Sequence, residues 1–300
     1  MRITSFDEFK ELAQRGTFVP VYKEIVADLL TPVSAFLKIA EHADYAFLFE
    51  SVEGGEHVGR YSFLGKDPFL VVRSRGGQTI VEQAGEITSS DRLFVDAVRE
   101  VVAGFHSPSV PGLPRFTGGA VGYLGYDAAA WFEPVTLQHA APPGDDAGFM
   151  LFDTVLAFDH VRHRILIIAN ARVTEGADLE ALYRFACAKI AFVEGELDRP
   201  LSKTPPATGR PVDLTSNVSR ERFEEMVRTA KEYIAAGDIY QVVLSQRMRR
   251  PFTSSPLSLY RALRSVNPSP YMFYYDFGGF HVVGASPEIL VRKEGATVTL

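Results

Sequence analysis

Short apolar segments separated by tight turns dominate the first half of this sequence and most strongly limit its possible folds. The stretches Arg60–Leu64, Phe69–Ser74 and Thr79–Glu82 follow one another with only Lys-Asp-Pro and Arg-Gly-Gly turns between them. Such close succession is typical of antiparallel strands, since parallel neighbours need a crossover of a dozen or more residues. We therefore predict an α+β fold built on a large antiparallel β-sheet sandwich with flanking helices, rather than a doubly wound parallel sheet.

Helix starts and stops are marked by local signals. A capping box at Ser5 and the pair Thr31 and Pro32 each precede apolar residues at helical spacing. Asp178 precedes a third such pattern, which continues to about Glu194. A fourth helix is predicted between a cap at Ser219 and a stop at Gly237.

Further strands are predicted from apolar runs. Leu151–Phe158 and Arg164–Ala169 are expected to form a hairpin, and Ile239–Gln246 a strand directly after the fourth helix. Ile289–Lys293 and Ala296–Leu300 are expected to form a last hairpin whose second strand stops at the final residue. Because this sheet edge is left uncovered, the sequence predicts a chain truncated at its C-terminus.

A proline-rich segment divides the chain into two modules. Residues 199–216 carry four prolines and show no apolar periodicity, which is typical of an exposed connector. We predict one module over residues 1–198, a linker over residues 199–216, and a second module over residues 217–300.

Charge and composition exclude several classes of partner. The net charge of −6 is spread along the chain, so no basic face is expected for nucleic acid or for an anionic membrane. No stretch of 18 apolar residues occurs, and the N-terminus lacks the apolar run of a signal peptide. The single cysteine cannot pair within the chain. These features predict a soluble, cytoplasmic protein.

Two glycine-containing segments resemble functional loops without matching them. The stretch Thr117–Asp127 fits neither the dinucleotide fingerprint nor the P-loop, so close packing against aromatic rings is the better interpretation. Ser286 resembles a hydrolase nucleophile, but Pro287 lacks the N–H that an oxyanion hole takes from the next residue. His160 and His163 lie near a predicted hairpin tip and are interpreted as turn residues rather than metal ligands.

Five short motifs carry a family resemblance. Leu48–Ser51 and Gly59–Ser62 precede the linker, and Gly237–Arg247, Asn267–Met272 and Gly284–Glu288 follow it. In this order they resemble the chorismate-utilising enzymes, and the large components of anthranilate synthases most of all. The resemblance covers nearly the whole chain and implies the fold of that superfamily. It also implies that residues 1–198 are the N-terminal regulatory module and that residues 217–300 are the start of the chorismate-binding catalytic domain.

Gln241 separates members of this superfamily. Isochorismate-type relatives carry a lysine at this position, where its amine can activate water as a general base. A glutamine amide cannot accept that proton, so Gln241 fits an enzyme whose nucleophile is ammonia, with a role in positioning the substrate. A locally bonded strand residue remains the alternative. Aminodeoxychorismate synthase shares the glutamine, and a non-catalytic amino-acid-binding regulatory fragment is the third possibility.

The resemblance also implies a reaction and its partners. The enzyme would add ammonia to chorismate, eliminate pyruvate and release anthranilate for tryptophan synthesis. A separate glutamine amidotransferase subunit, component II, would supply the ammonia, and Mg²⁺ would hold the substrate carboxylate. The family's Mg²⁺ ligands are expected beyond residue 300, so no metal ligand is assigned within this chain, which is expected to be inactive alone.

The resemblance further implies feedback inhibition by L-tryptophan. Such a ligand needs an acceptor for its ammonium, donors for its carboxylate and an apolar slot for its indole. Two separated segments are expected to supply these groups. The predicted tryptophan-binding residues are Glu50, Ser51, Asn267, Pro268, Ser269, Pro270, Tyr271 and Met272.

Overall fold

The structure is a computed structural model that describes residues 2–51, 59–135, 144–201 and 213–300. By compactness the chain divides into a unit of Met1–Lys203 with Tyr260–Leu300 and a second unit of Thr204–Leu259. Residues on both sides of the predicted linker thus share the first unit. The assignment of the three segments to regulatory module, linker and catalytic domain stays a prediction.

The elements of both units have the following bounds. The strands are β1 Phe18–Val26, β2 Tyr45–Glu50, β3 Tyr61–Lys66, β4 Leu70–Arg75, β5 Gln78–Gln83, β6 Glu86–Ser90, β7 Gly119–Leu124, β8 Ala147–Phe152, β9 Thr154–Asp159, β10 Arg164–Arg172, β11 Thr215–Ser216, β12 Met248–Arg249, β13 Tyr271–Phe277, β14 His281–Ser286, β15 Arg292–Glu294 and β16 Thr297–Thr299. The helices are α1 Phe6–Ala13, α2 Pro32–Ile39, α3 Phe94–Ala103, α4 Leu179–Asp198, α5 Arg220–Ala236 and α6 Pro256–Val266, with a 3₁₀ turn at Tyr126–Trp131.

Two large antiparallel sheets form the core of the first unit, which confirms the predicted fold class. The larger has the strand order β1-β10-β9-β3-β2-β13-β14, and the smaller has the order β6-β5-β4-β8-β7. Their inner faces share one buried core, in which the ring of Phe47 from the larger sheet lies 4.8 Å from that of Phe152 in the smaller. The arrangement is a β-sandwich with helices packed on its outside.

The capping signals predicted the helix starts correctly. The Ser5 hydroxyl accepts a hydrogen bond from the backbone of Glu8, whose carboxylate returns one to the backbone of Ser5. The Asp178 carboxylate caps α4 by accepting hydrogen bonds from two backbone N–H groups. Gly237 ends α5 with φ of 83°, the left-handed conformation that glycine adopts without strain.

One predicted strand is divided between the two sheets. The run Leu151–Phe158 was expected to be continuous, but β8 ends at Phe152 in the smaller sheet and β9 begins at Thr154 in the larger. Asp153 stands between them, and its carboxylate accepts hydrogen bonds of 2.8 and 2.7 Å from the ammonium of Lys189. A charged residue within an apolar run therefore marks the crossing. The predicted hairpin itself is formed by β9 and β10.

Close packing explains the glycine-rich stretch. At Gly122, a Cβ atom would lie 1.9 Å from the carbonyl oxygen of Gly148 on the neighbouring strand β8. At Gly118, φ is 149° and a Cβ would meet the amide of Asn170 at 2.6 Å. The prediction of packing rather than a nucleotide loop agrees with this geometry. The last predicted hairpin is also formed, as β15 and β16.

The second unit contradicts one prediction. Ile239–Gln246 runs without ladder hydrogen bonds after α5, and only the short pair β11 and β12 is formed nearby. Apolar, β-branched composition favours a strand only where a neighbouring strand completes the ladder, and none pairs with this segment within residues 213–300. No helix in the described ranges is long and apolar enough to cross a membrane.

Candidate functional site

The pairing of β2 with β13 brings together the two segments predicted to bind an amino acid. In the antiparallel register Glu50 lies opposite Met272, and Phe49 lies opposite Phe273. Ser51 directly follows Glu50, one residue beyond the last paired position of β2. The segments are more than 200 positions apart in sequence, and their meeting follows from the strand order of the larger sheet.

Glu50 is buried beneath helix α6. Its carboxylate accepts a 2.7 Å hydrogen bond from the hydroxyl of Tyr260, and both residues are buried. The Nε atom of Arg264 lies 3.2 Å from the same oxygen as an ion pair, although this buried nitrogen makes no hydrogen bond within the described residues. We expected Glu50 to offer a carboxylate to a ligand ammonium, but groups of the chain itself already contact it.

Tyr260 donates its proton in this contact. Burial, followed by the negative charge of Glu50, raises the pKa of Tyr260 well above its ordinary value. The phenol is therefore neutral at physiological pH and the carboxylate is the acceptor.

Aromatic side chains form a row on the opposite face of the same strands. Phe63, Phe49 and Phe273 are directly paired across β3, β2 and β13, so their side chains lie on one face of the sheet. All three are partly buried against the sandwich core, and the ring of Phe116 stands edge-on to that of Phe63 at 5.4 Å. We call Phe49, Phe63, Phe116 and Phe273 the phenylalanine row.

Ser51 lies directly beyond the end of β2, next to Glu50. Because side chains alternate along a strand, Glu50 points away from the face of Phe49. Continuation of this alternation by one residue beyond β2 would turn Ser51 toward the face of Phe49. Ser51 is partly buried. Glu50 and Ser51, which are predicted to bind the same ligand, would therefore point to opposite faces of the sheet.

Glycine at position 284 makes room for the row. Gly284 lies opposite Phe273 in the pairing of β13 with β14, and a Cβ there would lie 2.2 Å from the Phe273 ring. The motif Gly284–Glu288 thus has a packing role at its first residue.

The loop between α6 and β13 is held at both ends. The backbone N–H of Asn267 donates a 2.8 Å hydrogen bond to the carbonyl of Leu263, which continues the last turn of α6. Ser269 and Met272 are buried, while Pro268 and Pro270 are partly buried. Each proline restricts φ to about −65°, so the loop is stiff.

Sequence reasoning missed Tyr260, Arg264 and the pair Ser62 and His160. The Nε2 atom of His160 lies 2.8 Å from the Ser62 hydroxyl, and burial lowers the pKa of this imidazole. His160 therefore has a specific partner rather than being only a solvated turn residue. The spacing of Tyr260 and Arg264, four residues apart on one helix face just before the loop, was the available signal.

Comparison with known proteins assigns the family. The profile of the family described as chorismate binding enzyme matches residues 44–300. The chain belongs to this family. The resemblance drawn from the five motifs is thereby confirmed at the level of the chorismate-utilising superfamily.

Several characterised members of the chorismate binding enzyme family are similar to this chain. Anthranilate synthase component 1 of a Synechocystis species is 42% identical over 304 residues, covering 96% of this chain and 59% of the relative. The Acetivibrio thermocellus protein of the same name is 41% identical over 307 residues, covering 98% and 61%. The chain thus spans about three fifths of the length of the curated relatives it matches.

Solved structures agree. Anthranilate synthase component I from Streptococcus pneumoniae superposes with a TM-score of 0.61 at 30% identity, covering 91% of this chain and 59% of that one. The menaquinone-specific isochorismate synthase of Escherichia coli has a TM-score of 0.50 at 13% identity, covering 97% and 56%, and shows the shared fold alone.

The chorismate binding enzyme motif that contains Gln241 lies in the second unit. Gln241 is exposed in the segment after α5, and its side chain makes no hydrogen bond within the part of the chain that the structure describes. The alternative of a locally bonded strand residue therefore has no support here, and the role of Gln241 in positioning substrate stays a prediction.

Residues for Mg²⁺ are not assembled in the described ranges. No group of three or more His, Cys, Asp or Glu side chains is placed there to hold a metal ion. Magnesium prefers carboxylate oxygens in octahedral geometry, so this part of the chain does not fit the ion and no step is assigned to it.

Replacement of Gln241 tests its role in this family. Under the reaction proposed below, Gln241→Ala in the full-length protein should lower kcat with ammonia by roughly tenfold to a hundredfold, because a misplaced substrate reacts that much more slowly. Steady-state rates of chorismate consumption are the measurement. Gln83→Ala, at an exposed strand end, is the matched control, and equal kinetics in both variants would show that Gln241 is structural.

Proposed function

We propose that this chain belongs to the large component of an anthranilate synthase, which converts chorismate and ammonia to anthranilate, pyruvate and water, the water arising from the lost ring hydroxyl. One observation carries the proposal. Relatives that are 38–42% identical over 96–99% of this chain bear that name. The same relatives favour this activity over aminodeoxychorismate synthesis.

Gln241 supports ammonia as the nucleophile. Ammonia is reactive when neutral, so the site needs no general base such as the lysine of isochorismate-type enzymes to deprotonate it. The name component 1 implies a second component, and we propose a glutamine amidotransferase that releases ammonia for this reaction. Mg²⁺ would bind the substrate carboxylate through residues other than those described here.

We further propose that tryptophan binds at the end of β2 and inhibits this reaction. The phenylalanine row is partly buried against the sandwich core, and its aromatic rings suit edge or stacked contacts with an indole. Ser51 and the backbone of the stiff loop Asn267–Pro270 supply polar groups beside it. Inhibition requires that tryptophan bind a less active conformation more tightly than the active one.

Product analysis tests the proposed reaction. The full-length protein, expressed from its natural reading frame, should produce fluorescent anthranilate and stoichiometric pyruvate when given chorismate, ammonium and Mg²⁺. Formation of aminodeoxychorismate instead, detected by mass spectrometry, would contradict the assignment. Glutamine should replace ammonium only when the amidotransferase component is added.

The 300-residue chain alone should form no anthranilate under the same conditions. Its described residues assemble no acidic cluster for Mg²⁺, and Gln241 is exposed. Anthranilate fluorescence is read against a no-protein control. A signal clearly above that control would show that residues 1–300 contain a working active site.

A further inference from the structure

The hydrogen bond between Tyr260 and Glu50 is buried and directed, and these features indicate a specific structural role. A carboxylate with 2% of its side chain exposed is costly to bury unless polar groups satisfy it. Tyr260 is fully buried, and its hydroxyl supplies a directed bond of 2.7 Å to that carboxylate. An apolar pair at these positions would avoid the cost, so the bond is expected to serve the geometry of the site.

The position of this bond links the parts of the candidate site. Tyr260 lies on α6, whose last turn leads through Asn267 into the loop, and Glu50 ends β2 opposite Met272 of β13. The loop is attached to α6 at one end and to β13 at the other. The hydrogen bond therefore ties the helix that carries the loop to the strand that carries Ser51.

Aromatic packing keeps Tyr260 in place. Its ring lies 6.1 Å from that of Tyr274 in β13 at an interplanar angle of 70°, and Tyr274 in turn stands edge-on to Phe36 of α2 at 5.5 Å. The phenol can thus transmit the position of α6 to β2 with little freedom of its own.

We propose that Tyr260 is a positioning residue of the amino-acid site. Through Glu50 it sets the distance between the end of β2 and the loop Asn267–Pro270, and thereby the affinity for tryptophan. This inference rests on the proposed function, since it deepens the account of the same site. Tyr260 itself contacts the opposite face of the sheet from the phenylalanine row and touches no ligand.

Tryptophan affinity of single variants in the full-length protein is the first test. Tyr260→Phe should raise the Kd measured by calorimetry about tenfold, which corresponds to 1.4 kcal/mol. Ile190→Val, a buried substitution in α4 remote from the site, is the control for general loss of stability. Its Kd should stay at the wild-type value although its unfolding midpoint falls.

A double variant shows whether the effect passes through Glu50. Replacing both partners by apolar groups leaves neither the buried hydroxyl nor the buried carboxylate unsatisfied, and the Arg264 side chain, which is 41% exposed, can still be hydrated. Tyr260→Phe with Glu50→Leu should therefore fold even if the single variants do not. On the Glu50→Leu background, Tyr260→Phe should cause no further loss of affinity. A double variant that binds tryptophan as wild type does would overturn the inference.

The outcomes separate this inference from the proposed site. If the wild-type protein binds tryptophan and Tyr260→Phe has the same Kd, the positioning role of Tyr260 is wrong, whereas the proposed tryptophan site is not contradicted. Equal weakening in Tyr260→Phe and Ile190→Val would also overturn it, because general destabilisation would then explain both. Absence of tryptophan binding to the wild-type protein would contradict the proposed site itself, and the positioning role with it.

Discussion

Gly122→Ala should lower the free energy of unfolding by roughly 3 kcal/mol, at the upper end of the usual cost of overpacking. The added Cβ would stand 1.9 Å from the backbone oxygen of Gly148 and 2.7 Å from the Phe149 ring. Backbone atoms cannot turn aside as a flexible side chain can, so β7 must separate from β8 at this point. Thermal or denaturant midpoints of the 300-residue chain provide the measurement.

A matched glycine provides the control for this prediction. Gly195 lies within α4, and a Cβ there meets no atom within 4 Å. Gly195→Ala should therefore raise the stability by about 0.5–1 kcal/mol, the helix preference of alanine over glycine. If both variants shifted the midpoint in the same direction, the packing account of the glycine-rich stretch would be wrong.

Local chemistry made the helices predictable. The capping box at Ser5 and the stop at Gly237 act within one helical turn, so each can be recognised without knowledge of the rest of the fold. Hairpin spacing similarly predicted the antiparallel sandwich. These features depend on neighbours in sequence.

Sheet membership depends on distant residues and was less predictable. The run is mostly apolar on both sides of Asp153, and its halves lie in different sheets because β8 pairs with β4 and β7 whereas β9 pairs with β3 and β10. The segment Ile239–Gln246 has strand composition but no partner within the described residues. A period of two in a sequence does not specify which strand completes the ladder.

The candidate site shows the same division. Motif order predicted that Glu50 and Ser51 would meet the segment Asn267–Met272, and the register of β2 with β13 brings the two segments together. The prediction did not use the alternation of side chains along β2, which sets Glu50 on the face opposite Phe49. Tyr260, whose partner lies 210 positions away, leaves no local signal of its bond.

Ser51→Phe should weaken tryptophan binding at least about tenfold, or by 1.4 kcal/mol or more. Ser51 is partly buried directly after the end of β2, next to Glu50, which pairs with Met272 of β13. A phenyl ring there would occupy space that the proposed site offers to the indole and would remove the hydroxyl. Ser89→Phe, on the exposed strand β6, is the matched control and should bind tryptophan as wild type does.

Calorimetric titration of the full-length wild-type protein and of Ser51→Phe with tryptophan shows whether tryptophan binds at the end of β2. We expect saturable binding of tryptophan to the wild-type protein and to Ser89→Phe, and at least about tenfold weaker binding to Ser51→Phe. Equal affinity of Ser51→Phe and wild type would show that the end of β2 and the loop Asn267–Pro270 do not form the tryptophan site.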